Sequence, residues 1–149
     1  MSISYYAFTK AFLAKVTQYD FVTMDAFERQ DLVDGYMKRA IADFRHICKY
    51  DFSNNADDTI REYTIEIKEE DEDELLEIIS EGMVVQWLKP YVFKQDSLDY
   101  FLNTRDFTMY SPAELLYRIG NAYADARKNF VNMMREYSYS HGDLSELHI

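Results

Sequence analysis

Only two prolines and four glycines interrupt the 149 residues of this chain. A β-sandwich or barrel needs turn signals at short, regular spacing, whereas uninterrupted stretches of this length favour long helices. With 48% hydrophobic and 29% charged residues the balance is that of a globular protein, and the length fits one domain with a real core. The 13 tyrosines and 10 phenylalanines are a large aromatic load. Part of it serves a core. Tyrosine, which keeps a polar end, also suits a surface that becomes an interface.

Periodicity places the helices. Tyr5, Phe8, Phe12, Val16 and Tyr19 recur every three or four residues and mark one face of a helix over 4–19. Asp25 with Glu28 reads as a capping box. The helix it opens carries a buried stripe of Leu32, Tyr36, Ile41, Phe44 and Cys48, flanked by Val33, Met37 and Ala40. Residues 51–59 are loop-forming by composition. Over 71–88 apolar residues cover nearly the whole circumference, the pattern of a central, buried helix, and Pro90 is expected to end it. A shorter helix is expected over 96–103. Ser111-Pro112-Ala113-Glu114 then combines a cap, a first-turn proline and a returning glutamate. It opens a helix to about 137, with a stripe of Leu115, Ile119, Ala122, Tyr123, Ala126, Phe130, Met133, Met134 and Tyr137. Strict alternation over Thr64–Lys68 and again over Phe107–Met109 predicts a small β-hairpin or wing, at about 61–68 and 106–110. The expected fold class is mainly α: a bundle of four to five helices with one long C-terminal helix. Residues 1–137 form the single helical domain, and 138–149 form an extended docking segment.

The catalytic and cofactor classes find no support in these residues. His46, His141 and His148 have no metal-ligand spacing among them, and the four glycines stand apart, so no phosphate loop can form. Cys48 is the only cysteine, which rules out an internal disulfide and gives no sign of an oxidising compartment. It lies in a helical pattern with no positioned base. The reading is a non-enzyme without cofactor or metal. No stretch approaches the roughly 18–20 apolar residues of a membrane span. The beginning of the chain lacks the pattern of a secretory signal, so a soluble, unexported protein is expected.

Charge sharpens the picture. The net charge is −11, and residues 57–74 alone hold ten acids against Arg61 and Lys68, a net of −8. Within it, Glu69, Glu70, Asp71, Glu72, Asp73 and Glu74 form an unbroken acidic run. Acids at a helix start suit the positive end of the helix dipole, so a solvated first turn accounts for most of the run. Its functional reading is a negative surface facing a basic partner or lining a passage for DNA. No Lys/Arg cluster exists to grip a phosphate backbone.

The order of the pieces carries a resemblance. Ala40-Ile41-Ala42-Asp43-Phe44-Arg45 with Cys48 precedes a polar loop. Then come Glu81-Gly82-Met83-Val84-Val85-Gln86-Trp87-Leu88-Lys89-Pro90 and Phe107-Thr108-Met109-Tyr110-Ser111-Pro112-Ala113. The chain closes on Tyr137-Ser138-Tyr139-Ser140-His141-Gly142-Asp143-Leu144-Ser145-Glu146-Leu147-His148. Together these resemble the neck proteins of tailed bacteriophages, the head-to-tail adaptors beneath the portal, over most of residues 25–149. The resemblance implies a helical subunit assembled with copies of itself into a ring, typically a dodecamer. Such a ring sits between the portal protein and a tail or second neck protein, in the virion neck, after assembly in the host cytoplasm. DNA would pass through it without specific binding. The long helix 112–137 and the segment 138–149 match well enough to take docking roles. Tyr137, Tyr139, Leu144, Leu147, His148 and Ile149 are the expected partner contacts. The competing expectation is an acidic DNA mimic that inhibits a nucleic-acid enzyme. An enzyme with an unrecognised carboxylate site ranks third.

Overall fold

A computed structural model describes residues 2–16, 30–93 and 112–141. Among them the chain runs β1 (Ile3–Ser4), α1 (Tyr5–Val16), α2 (Gln30–Phe44), β2 (Ala56–Asp57), β3 (Glu62–Tyr63), α3 (Glu69–Phe93) and α4 (Pro112–His141), with a 3-10 turn at Ser53–Asn55. The fold is a mainly-α bundle with a small β element, as the scarcity of glycine and proline predicts. The capping box at Asp25–Glu28, the helix over 96–103, the strand over 106–110, the Ser111 cap and residues 142–149 lie outside the described residues.

The centre of the bundle is α3. Leu75, Ile78, Ile79, Met83, Val84, Val85, Trp87 and Leu88 are all buried, because α1, α2 and α4 each pack on a different side of it. A helix enclosed on three sides has no polar face to present, and its all-round apolar sequence reflects that. The polar residues α3 does bury are satisfied. Ser80 donates to the Glu77 carbonyl, and Glu81 pairs with Lys15 of α1 at 3.0 Å. Pro90 stands inside α3 rather than ending it. A proline withdraws one amide from the ladder, here the partner of the Gln86 carbonyl, yet the helix continues one further turn.

Of Gly35, Gly82 and Gly120, only Gly82 has no room for a side chain. A Cβ there would lie 2.8 Å from the Ala40 Cβ on α2 and 2.8 Å from two ring carbons of Phe130 on α4. Three helices meet at a point that has room for a backbone and no side chain.

On α1, Tyr5, Phe8, Phe12 and Val16 are buried as their spacing predicts. On α2 the buried set is Val33, Tyr36, Met37, Ala40, Ile41 and Phe44, while Leu32 is 48% exposed. The stripe is centred one position later than the sequence suggests, since spacings of three and four from Leu32 or from Val33 fit equally well without knowing where α3 lies. Cys48 lies beyond α2. The helix stops at Phe44, whose carbonyl accepts from the amides of both Ile47 and Cys48.

The β element differs in its partners. β3 is the central strand of three, antiparallel to β1 (Ile3 opposite Tyr63) and to β2 (Ala56 opposite Tyr63). Residues 64–68 alternate in burial, with Tyr63 and Ile67 inside and Thr64 and Glu66 outside, but form no ladder. The Ile65 amide folds back onto the Tyr63 carbonyl at 2.9 Å instead. Alternation reported which side chains are buried and not what the strand pairs with. Two-residue strands carry no periodicity of their own. They are held by packing of Tyr5, Phe8, Phe52 and Tyr63, whose ring centroids lie 4.8 to 6.1 Å apart in tilted and edge-on contacts. Arg61, at φ 53°, closes the turn before β3. Its backbone carbonyl accepts the Tyr5 amide, and its guanidinium clamps both Asp34 carboxylate oxygens at 2.7 and 2.9 Å, tying the wing to α1 and α2.

Burial raises the hydroxyl pKa of Tyr5, Tyr63 and Tyr137 well above the ordinary tyrosine value, and in Tyr5 the hydrogen bond to Asp58 adds to it. A folded-state pKa above the unfolded value contributes stability that is complete below about pH 10 and is lost as pH rises beyond it. Urea midpoints should therefore hold steady up to that pH and then fall. The last tyrosinate absorbance should appear together with unfolding; three tyrosines ionising in a still-folded protein would refute this.

Candidate functional site

The residues between α2 and the 3-10 turn, with the first turn of α3 and the last turns of α4, form the chemically richest region. The acidic run enters it unevenly. Asp71 is 4% exposed: it pairs with Lys49 at 2.9 Å and accepts the Tyr50 hydroxyl at 2.7 Å. Its position four residues before Leu75 puts it on the inward face of α3. Asp71 is therefore a structural anchor and not part of an acidic surface. Glu69, Glu70 and Asp73 are exposed, and Glu72 and Glu74 are half-buried. The Asp71 and Glu72 amides both donate to the Lys68 carbonyl, which starts the helix with its carboxylates around the positive end of its dipole.

Tyr137 is a second correction. Its ring is 0% exposed, packed edge-on against Phe44 at 4.9 Å, and its hydroxyl accepts the Lys49 amide at 3.2 Å. It belongs to the stripe of Ile119, Ala126 and Phe130 that faces α3 and α2, so it cannot be a partner contact. Tyr139, two residues on, is 60% exposed. The helix continues through 138–141 rather than giving way to an extended segment, as no glycine or proline intervenes before Gly142. Leu144, Leu147, His148 and Ile149 lie outside the described residues.

Beside the Tyr137 contact opens a cleft of about 390 Å³. Ile41, Phe44 and Phe52 give it buried apolar lining, and Arg45, His46 and Asn54 give it exposed polar lining. Asp51 is held in its own turn, where its carboxylate accepts both the backbone amide and the side-chain amide of Asn54. Cys48 also lines the cleft, half-buried and hydrogen-bonded to Tyr137, and burial pushes its thiol up. A thiol held protonated is a poor nucleophile and a poor metal ligand. Among the described residues no group of three His, Cys, Asp or Glu is arranged to hold a metal ion. The lining thus sets a small apolar floor beside exposed polar and charged side chains. Sequence reasoning did not find this cleft, although one continuous stretch, residues 41–54 at the end of α2 and in the loop after it, lines it. The polar, aromatic run His46–Tyr50 after a helix stop was the available signal.

Large apolar groups are exposed on several elements, among them Tyr6 on α1 and Ile60 before β3, and on α4 Leu116 is 44% and Tyr117 70% exposed. No helix among the described residues is long and apolar enough to cross a membrane. Compared with known proteins, the chain matches no protein family, no curated sequence and no solved structure.

Proposed function

We propose that this chain is a structural subunit of the head-to-tail adaptor type, one copy in a ring around the DNA channel between a phage portal and its tail, with no catalytic role. The observation that carries the reading is the outward face of α4. Its inner face packs on α3, while Leu116, Tyr117 and Tyr139 stand exposed towards opposite ends of a 30-residue helix. Large aromatic groups held rigidly on one helix suit the side-to-side, heterologous contacts from which rings are built. The portal protein and a tail or second neck protein are the partners that the resemblance suggests. Tyr139 and residues 143–149 are the proposed contacts.

The test is assembly. Mixed with its portal and viewed by electron microscopy, the chain should form rings on portal-containing complexes. Tyr117→Asp and Tyr139→Asp should each prevent this while leaving circular dichroism unchanged. A stable monomer that never joins a portal-containing complex would sink the proposal. Under the DNA-mimic reading, neutralising Glu69, Glu70, Glu72, Asp73 and Glu74 abolishes activity, whereas in an adaptor it only tunes assembly. The removal of Asp71 into the core leaves that mimic face one charge poorer.

A further inference from the structure

We infer that the outward face of α4 docks on the acidic first turn of α3 in a second copy of this chain. This deepens the adaptor reading, from which it takes that α4 faces another subunit, and names the surface that receives it. At about 100° per residue, Tyr117, Lys128, Arg135 and Tyr139 lie within about 20° of the line opposite the buried stripe of Ile119, Ala126, Phe130 and Tyr137. All four are exposed. Two aromatic groups about 33 Å apart thus bracket a cationic centre. On α3, Glu69, Glu70 and Asp73 occupy the side turned away from the buried Asp71, Leu75 and Ile78, and they too are exposed. Lys128 and Arg135 form no salt bridge among the described residues, and neither do these three acids.

The two patches are opposite in sign but cannot meet within one chain. The inner face of α4 packs on α3, so the stripe points away from the acidic turn of its own subunit. Complementary patches that only a second copy can join are what a heterologous assembly requires. The receiving surface also has an apolar group to offer a tyrosine. Ile47, 37% exposed, stands in the turn whose Lys49 and Tyr50 bond Asp71. Each chain carries a net charge of −11, but at physiological ionic strength charges beyond about 8 Å are largely screened, so the local match decides. A phosphate backbone is a poorer occupant, because affinity for DNA grows with the number of phosphates neutralised and the stripe brings two cations.

Sedimentation of the full chain, without portal, tests the contact. The wild type should self-associate as its concentration rises. Lys128→Glu with Arg135→Glu should raise the dissociation constant about tenfold or more, and so should Glu69→Lys with Asp73→Lys, because each sets like charges face to face. Neutralising the same acids only removes attraction and weakens the contact less. Mixed in equal amounts, the two variants should associate again, since each carries the opposite charge for the other. Lys10→Glu with Arg39→Glu, exposed on α1 and α2, adds the same negative charge elsewhere and should change nothing. If the α3 variant loses its helical circular dichroism, a carbodiimide acting on the wild type replaces it. Amide cross-links should then join Lys128 to Glu69, Glu70 or Asp73 between isotopically labelled and unlabelled chains. A wild type that stays monomeric, a mixture no tighter than its components, an equal loss in the Lys10 and Arg39 control, or the absence of that cross-link overturns the inference. So does a stripe variant whose only loss is in binding DNA. Association by this contact in chains that never join a portal counts against the adaptor reading alone. Portal-bound rings that survive both charge reversals count against this contact alone.

Discussion

Gly82→Ala should destabilise the protein, while the same change at Gly35 and at Gly120 should stabilise it. All three glycines are within helices, where alanine is favoured by about 1 kcal/mol. At Gly35 and Gly120 an added Cβ meets nothing within 4 Å, so the gain of about 0.4–1 kcal/mol is realised. At Gly82 the methyl would press on the Ala40 Cβ and the Phe130 ring at 2.8 Å. Ala40 has no rotamer through which to retreat, and Phe130 is itself buried. Overpacking of this kind costs about 1–3 kcal/mol and has two neighbours to move here, so it exceeds the helical gain. Thermal melts should place Gly82→Ala several degrees below the wild type, at about 2–4 °C per kcal/mol for a domain of this size. Gly82→Leu should not fold. Equal stability of the three alanine variants would mean that α2, α3 and α4 do not converge at this point.

The second large effect separates two tyrosines that the sequence places side by side. Tyr137→Ala should cost about 3–5 kcal/mol, because it empties a fully enclosed ring site between Phe44 and the 45–50 turn. Tyr137→Phe keeps the ring and removes one hydrogen bond, a loss of about 1 kcal/mol. Tyr139→Ala, at 60% exposure, should stay within about 0.5 kcal/mol of the wild type in urea titrations. If the order were reversed, with Tyr139 the costly truncation, the register of α4 on α3 would be wrong. Under the adaptor proposal the two also part in assembly. Tyr139→Ala weakens ring formation in a stable subunit, whereas Tyr137→Ala lowers the amount of folded subunit and leaves the contact surface unchanged.

Both predictions rest on contacts that join residues far apart in the chain, which marks the boundary of what the residue order could convey. The helical class follows from sequence alone, because propensity and the absence of breakers act over neighbouring residues. So do the buried faces of α1 and α4, where the three-and-four spacing is unambiguous, and the central place of α3, whose lack of any polar face requires enclosure. The candidate site was less legible. Tyr137 falls on the apolar stripe of α4 and Tyr139 off it, but that Phe44 and the Lys49 amide of the same chain, rather than a partner, take up Tyr137 is decided by how α4 packs. Asp71 looks like its five acidic neighbours until Lys49 and Tyr50 arrive from another part of the chain to neutralise and bond it. Gly82 reads as an isolated glycine until Ala40 and Phe130 close on it. The cleft is lined by one continuous stretch, residues 41–54, and its signal in the sequence was the polar, aromatic run His46–Tyr50 after the helix stop. Periodicity is a property of one element and reports which face is buried. Which neighbour buries it, and which polar group that neighbour brings, depends on contacts between distant residues, and these only the tertiary structure decided.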